Sequence, residues 1–136
     1  MVAEGPAYLL TVTSALTGYE ILAVETMQQA NRLILENGID VFVIGIHFSE
    51  SRALELIQLI RSDEKHKKTP ILVIRMLGSN YPVILKQSMN AMRALRIVTD
   101  YLEIEGNNYS KIKEKIRESV DRNVPAEKSV SLKSSG

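Results

Sequence analysis

The chain has 136 residues, 45% of them hydrophobic, which is typical of one globular domain with a single core. Its 17 basic and 16 acidic residues nearly cancel, which excludes a global field that would attract nucleic acid or an anionic membrane. The absence of cysteine excludes disulfides, thiolate metal sites and cysteine nucleophiles, and it fits a cytoplasmic location.

The sequence predicts neither a signal peptide nor a membrane span. Glu4 precedes the first apolar stretch and no basic region does, so the stretch lacks the charge pattern of a secretion signal. No apolar run approaches the roughly 20 residues that a spanning helix needs. We therefore expect a cytoplasmic protein without a membrane partner.

The first part of the chain predicts two strands and one helix. Residues 7–13 (AYLLTVT) and 19–25 (YEILAVE) are short runs rich in β-prone residues. Thr26 and Gln29 have the spacing of a capping box, which predicts a helix that begins there and ends near Asn37.

The connection between these two strands is too short for an ordinary crossover. About five residues, 14–18, separate them, whereas a parallel connection usually needs ten or more. We favour a deleted first helix with a tight connection, because residues 11–13 are mediocre helix formers. Two alternatives remain: residues 6–16 form the helix and the first strand is absent, or a hairpin makes the first strand antiparallel. In each case one face of the sheet is covered by less of the chain. Apolar residues exposed on that face would favour association with another protein surface.

The middle of the chain predicts a βαβ unit of a parallel sheet. Residues 41–46 are almost continuously apolar, as expected of a central strand. Residues 51–61 follow as an amphipathic helix, and a charged loop over 63–69 leads to a second apolar strand over 71–77. His66 lies in that loop, where we expect it to be solvated.

The remaining elements follow the same alternation. Tyr81 and Pro82 open a predicted helix, with Met89, Met92 and Leu95 on its apolar face. A short strand over 98–103, a turn over 106–108, a helix over 109–122 and a serine-rich mobile tail over 124–136 follow. We expect one domain over residues 1–123.

Several segments of the sequence resemble the response-regulator receiver domain of two-component signalling. The string from Asp40 to Gly45, DVFVIG, is similar to the third strand of that family, in which an acidic residue and four apolar residues precede the aspartate that accepts phosphate. Gly18-Tyr-Glu-Ile, Leu54-Glu-Leu-Ile57 and Asp100-Tyr-Leu102 resemble further family segments, and the likeness covers residues 18–120. The resemblance implies a flavodoxin-like α/β fold, a parallel sheet of about five strands flanked by helices, with the first helix missing or truncated.

The resemblance also implies a degenerate pocket. Gly45 stands in the place of the phosphate acceptor, and Arg75 in the place of the hydroxyl residue that contacts the phosphoryl group. The acids that hold Mg²⁺ would fall near Thr13 and Ser14, and the family's lysine near Ile104. Since every element of phosphoryl transfer is replaced, we expect no phosphorylation, no metal, no cofactor and no enzyme activity. His47 follows the acceptor position, where we expect a loop histidine.

The resulting prediction is a non-catalytic, phosphorylation-independent signalling module that binds an unidentified protein partner. Its candidate interaction surface consists of Arg75, Tyr101, Glu103 and Arg96. Arg75 is interpreted in one of two ways. It either holds the neighbouring loop in one conformation, or it is an ordinary surface arginine at a strand end. The alternative function is self-association, in which a homodimer forms through the thinned sheet face. We expect no nucleic acid partner.

Overall fold

The computed structural model describes residues 1–49, 52–76, 90, 92–93, 96–106 and 108–123. The predicted tail over 124–136 and most of the helix predicted from Tyr81, including Met89 and Leu95, lie outside these residues. Among the described residues, no helix is both long enough and apolar enough to cross a membrane.

The described strands form one parallel sheet. They are β1 (Val2–Ala3), β2 (Ala23–Val24), β3 (Phe42–Gly45), β4 (Ile71–Met76) and β5 (Asp100–Ile104). Their spatial order is β2-β1-β3-β4-β5, and every neighbouring pair is parallel. This is the doubly wound, flavodoxin-like order, so the predicted fold class is confirmed.

The described helices alternate with these strands. They are α1 (Pro6–Ser14), α2 (Met27–Glu36), α3 (Ala53–Ser62) and α4 (Ser110–Asn123), with a single 3₁₀ turn at Glu64–His66. The predicted capping box begins α2: the amide of Gln29 donates to Thr26 Oγ1 at 3.2 Å, and the amide of Thr26 donates to Gln29 Oε1 at 3.3 Å. Pro6 lies in the first turn of α1, where its missing N–H removes no helical hydrogen bond.

The prediction of a strand over residues 7–13 is wrong, because these residues form most of α1. The first strand is instead the two-residue Val2–Ala3, which pairs with both β2 and β3. The predicted tight connection and the alternative hairpin are therefore also wrong. The alternative of a helix over 6–16 is right about the helix, but the first strand is present as well. The first helix is truncated rather than missing: at 9 residues it is the shortest described α-helix.

Both faces of the sheet are covered. One core contains Ile34 of α2 and Leu56 of α3, packed on strand residues such as Ile44. The other contains Val12 of α1 and Ile116 of α4. The expectation that one face of the sheet is left uncovered is therefore wrong. The cover from α1 is slight, because Val12 is its one fully buried residue.

His66 is part of the core rather than a solvated loop residue. Its side chain is 1% exposed, and its ring packs edge-on against Phe42 with the centroids 5.3 Å apart. The amide of Ile39 donates to Nε2 at 3.0 Å, and Nδ1 lies 2.6 Å from Asp63 Oδ2. Because Nε2 must accept, Nδ1 carries the proton and donates to Asp63. The charged sequence neighbours of His66 indicated a solvated loop. The expectation failed because the 3₁₀ turn directs this one side chain inward.

Candidate functional site

The carboxyl ends of β1, β3, β4 and β5 lie along one edge of the sheet, where ligands bind in folds of this class. We use the name carboxyl-end cluster for five residues at this edge together with Tyr101, which lies opposite Val73 on β4 and approaches the others through its side chain. They are Glu4, Gly45, His47, Arg75, Tyr101 and Glu103. The parallel register brings them together from segments that are far apart in sequence.

Glu4 follows β1 and is almost fully buried, with 1% of its surface exposed. Its Oε1 accepts a hydrogen bond from the amide of Gly5 at 2.7 Å, and the backbone amide of His47 also donates to its carboxylate. Oε2 is buried and accepts no hydrogen bond from the described residues. Burial raises the pKa of Glu4 to about 7, against the opposing effect of the two backbone amides. Glu4 is therefore partly protonated near neutral pH.

Gly45 ends β3 directly against Glu4. A Cβ atom at position 45 would coincide with the carboxylate of Glu4, because both Glu4 oxygens and Cδ lie in the space that it would fill. Any side chain at this position therefore requires Glu4 to move. The space beside position 45 is thus occupied by the carboxylate of Glu4, which directly follows the neighbouring strand β1.

Thr13 and Ser14 do not follow the first strand. They form the last turn of α1, and the residues that follow β1 are Glu4 and Gly5. The implied position of the family's paired acids therefore moves to Glu4 and Gly5. Sequence reasoning missed this pair because it expected the first strand to end at residue 13, whereas β1 ends at residue 3. The one local signal for the pair was an acid directly after two small apolar residues.

The residues after β1 do not fit a bound Mg²⁺ ion. Gly5 has no side chain, and the single carboxylate of Glu4 accepts backbone amides and lies against Gly45. Hard cations need several oxygen ligands, preferably with more than one carboxylate. Nowhere in the described part of the chain do three His, Asp or Glu side chains converge as metal ligands would.

Arg75 on β4 forms an ion pair with Glu103, its register partner on β5. The Nη1···Oε2 distance is 2.9 Å, and the two side chains are 15% and 22% exposed. The Arg75 guanidinium also lies close enough to His47 to lower the pKa of that imidazole, although burial is the larger cause. Arg75 is therefore held at the strand ends by a defined partner.

Tyr101 and His47 complete the cluster around this ion pair. The hydroxyl of Tyr101 is buried, and burial together with the Glu103 carboxylate raises its pKa, while Arg75 opposes the shift. The ring of His47 packs against Tyr8 of α1, with the centroids 5.0 Å apart. His47 lies in the turn after β3, as expected of a loop histidine, and its side chain is half-buried.

The structure separates two other predicted residues from this cluster. Arg96 lies before β5, at the opposite edge of the sheet, and has a φ of 62°. Three of the four predicted interaction residues are thus neighbours and the fourth is not. Ile104 ends β5 and is 1% exposed in the core on the α1 and α4 side, so it presents no polar group to the strand ends.

No family model matches this chain, and no curated protein matches it. Solved structures do resemble it. The receiver domain of the Francisella response regulator 1452 superposes with a TM-score of 0.66 at 18% identity, covering 90% of this chain and 96% of that one. A response regulator from Hahella chejuensis gives 0.63 at 16% identity, covering 92% and 93%. The phosphorylated cyanobacterial phytochrome response regulator RcpA gives 0.60 at 17% identity, covering 85% of each chain.

Proposed function

Because the chain has the fold of response-regulator receiver domains, we propose that it is a signalling module that binds a protein partner without being phosphorylated and without catalysing a reaction. The observation that carries this proposal is the position of the Glu4 carboxylate, which fills the space next to Gly45. The fold alone does not decide the function, since one fold hosts many activities. The function depends instead on the residues of the carboxyl-end cluster.

The chemistry of phosphoryl transfer supports this proposal. The reaction needs an accessible nucleophile, a hard cation on the phosphate oxygens and positive groups on the developing charge. Glu4 is the carboxylate nearest the acceptor position, but both its burial and its partial protonation make it a poor nucleophile. The charge of Arg75 is already neutralised by Glu103. The nucleophile and the positive group are thus each weakened by a specific feature of the cluster.

We place the partner surface at the ends of β4 and β5. Arg75 and Glu103 remain partly exposed, so a partner can contact both, while their ion pair holds them in one geometry. A surface held in this way presents the same arrangement with or without a phosphodonor. Arg96 is excluded from this surface by its location at the other edge of the sheet.

The absence of phosphorylation is tested with acetyl phosphate and Mg²⁺. We expect the intact mass to remain unchanged and the amide resonances of Gly5, Gly45 and Arg75 to stay in place during the titration. A phosphoryl adduct on Glu4, or saturable Mg²⁺ shifts at these three amides, would overturn this part of the proposal.

The partner surface is tested by capturing proteins from the native host with Arg75→Glu and Glu103→Lys variants. Each variant should lose the partner that the unmodified chain retains, and the double charge swap should recover part of it. Arg32→Glu, in an exposed pair on α2, is the matched control and should retain the partner. Retention by all four variants would place the surface elsewhere.

Self-association is a second candidate, and one observation on α1 favours it. Leu10 is 77% exposed, although the chain carries no charged residue between positions 5 and 19. A helix face without charges can pack against its own copy without desolvating an ion, which would have a high energetic cost. Sedimentation equilibrium of the full chain tests this candidate. A mass that stays monomeric up to hundreds of micromolar would reject it.

A further inference from the structure

A groove of about 730 Å³ lies at the edge of the sheet opposite the carboxyl-end cluster. It is bounded by the end of α3, by the segments that lead into β4 and β5, and by α4. We call it the basic groove. The described residues that line it are Arg61, Lys67, Lys68, Pro70, Arg93, Arg96, Val98, Thr99 and Ser119. Its volume is within the usual range for sites that bind small molecules.

The lining of the basic groove is strongly positive. Five of its nine described residues are Lys or Arg and none is acidic, whereas the whole chain has a formal charge of +1. Lys67 pairs with Glu64 at 2.8 Å, and Arg93 lies 3.6 Å from Asp100. Lys68 and Arg96 are exposed and form no ion pair with a described residue. Positive charge therefore accumulates in one concave place of a nearly neutral molecule.

The side chain of Arg61 lines the basic groove and is held in place by three backbone carbonyls. Its Nε donates to the carbonyl of Ile97 at 2.9 Å, and its Nη1 donates to those of His66 and Thr69 at 2.8 and 2.7 Å. These bonds tie the end of α3 to both neighbouring segments. Nη2 makes no hydrogen bond among the described residues, so its two N–H groups remain available to a ligand.

Two hydroxyl groups add neutral donors. Ser119 is 1% exposed, and its Oγ has no hydrogen-bond partner among the described residues. A buried polar atom without a partner is uncommon in a folded protein and indicates a missing ligand or water. Thr99 Oγ1 accepts from the amide of Ile71 at 3.0 Å, which leaves its own proton free to donate.

We propose that the basic groove binds a small polyphosphorylated anion. Phosphate oxygens accept several hydrogen bonds at once and suit a mixture of guanidinium, ammonium and hydroxyl donors. The groove is concave, and only Pro70 and Val98 of its described lining residues are apolar in type. A hydrophobic protein segment would therefore have to desolvate several cationic groups there, which is costly. This site is independent of the carboxyl-end cluster and does not depend on the proposed signalling function.

The proposal is tested by calorimetric titration of the full chain with inorganic tripolyphosphate at low salt. We expect saturable binding at one site, with amide shifts at Thr99 and Ser119. The double variant Lys68→Ala/Arg96→Asn should weaken binding by about tenfold or more, equivalent to about 1.4 kcal/mol. Asparagine is chosen at position 96 because it tolerates the positive φ there.

A matched variant, Arg32→Asn/Lys111→Ala, removes the same charge from exposed residues outside the groove and should leave the affinity within about twofold. Ser119→Ala should also weaken binding while the thermal unfolding curve stays unchanged. No saturation at millimolar tripolyphosphate, or equal weakening by the matched variant, would overturn the proposal. Preferential binding of a DNA or RNA oligonucleotide with a steep salt dependence would overturn it in favour of nucleic acid.

Discussion

The carboxylate of Glu4 occupies the space that a side chain on Gly45 would need. Glu4 directly follows β1 and Gly45 ends the adjacent parallel strand β3, so the two residues meet at the carboxyl edge of the sheet. This contact connects the absence of a side chain at position 45 with the presence of a buried acid at position 4.

Gly45→Ala should lower the free energy of unfolding by about 1–3 kcal/mol, because the added methyl group overpacks against Glu4. The same substitution made together with Glu4→Ala should cost much less, since the obstructing carboxylate is gone. Urea denaturation of the two single variants and the double variant measures this coupling. Gly38→Ala is the control, because a Cβ there would meet no atom within 4 Å. Additive effects of Gly45→Ala and Glu4→Ala would show that the two residues do not compete for space.

The stability of the protein should fall as the pH rises through the titration of Glu4. Its pKa is about 7 in the folded state and 4.5 in the unfolded reference, so the folded state binds more protons between these values. Stability therefore decreases across that window, by up to about 3 kcal/mol from this group, and the contribution is constant above it.

Glu4→Gln removes this titration. Its free energy of unfolding relative to the unmodified chain should rise between pH 5 and pH 8, and denaturation at both pH values measures the difference. The effect of all other groups cancels in that comparison. Parallel pH profiles for the two proteins would mean that Glu4 is ionised throughout this range.

Removing one partner of the Arg75–Glu103 pair should leave a partly buried charge without its counterion. We expect Arg75→Ala and Glu103→Ala each to cost about 1–3 kcal/mol, and the double variant to cost less than their sum. Arg32→Ala, which breaks the exposed pair with Glu36, should change stability by no more than about 0.5 kcal/mol. A double-mutant cycle with no coupling between Arg75 and Glu103 would contradict this account.

Two substitutions on α1 distinguish its two faces. Val12→Ala should cost about 1–3 kcal/mol, because the valine is fully buried between α1 and the sheet. Leu10→Ser should leave stability almost unchanged, because that leucine is 77% exposed. If α1 mediates self-association, Leu10→Ser also shifts the sedimentation equilibrium toward monomer. A large loss of stability in Leu10→Ser would mean that the leucine packs against the protein.

The central part of the fold was predictable because its signals are local. The capping box at Thr26 and the βαβ pattern from β3 to β4 depend on residues that are close in sequence, and both agree with the structure. The beginning of the chain was not predictable in this way. A two-residue strand is too short to show any periodicity. The β-branched residues of α1 favour a strand by intrinsic propensity, but packing of the helix against the core outweighs that preference.

The sequence by itself determined that position 45 carries no side chain, since this is a property of glycine. Its strand and helix alternation also determined the fold class, because apolar periodicity directs each element toward a common core. Tertiary structure alone decided which group lies beside Gly45. Glu4 and Gly45 are distant in sequence, and their contact exists only because β1 and β3 pair in one register. The basic groove depends on the same kind of long-range pairing, which brings α3, β4, β5 and α4 to one edge of the sheet.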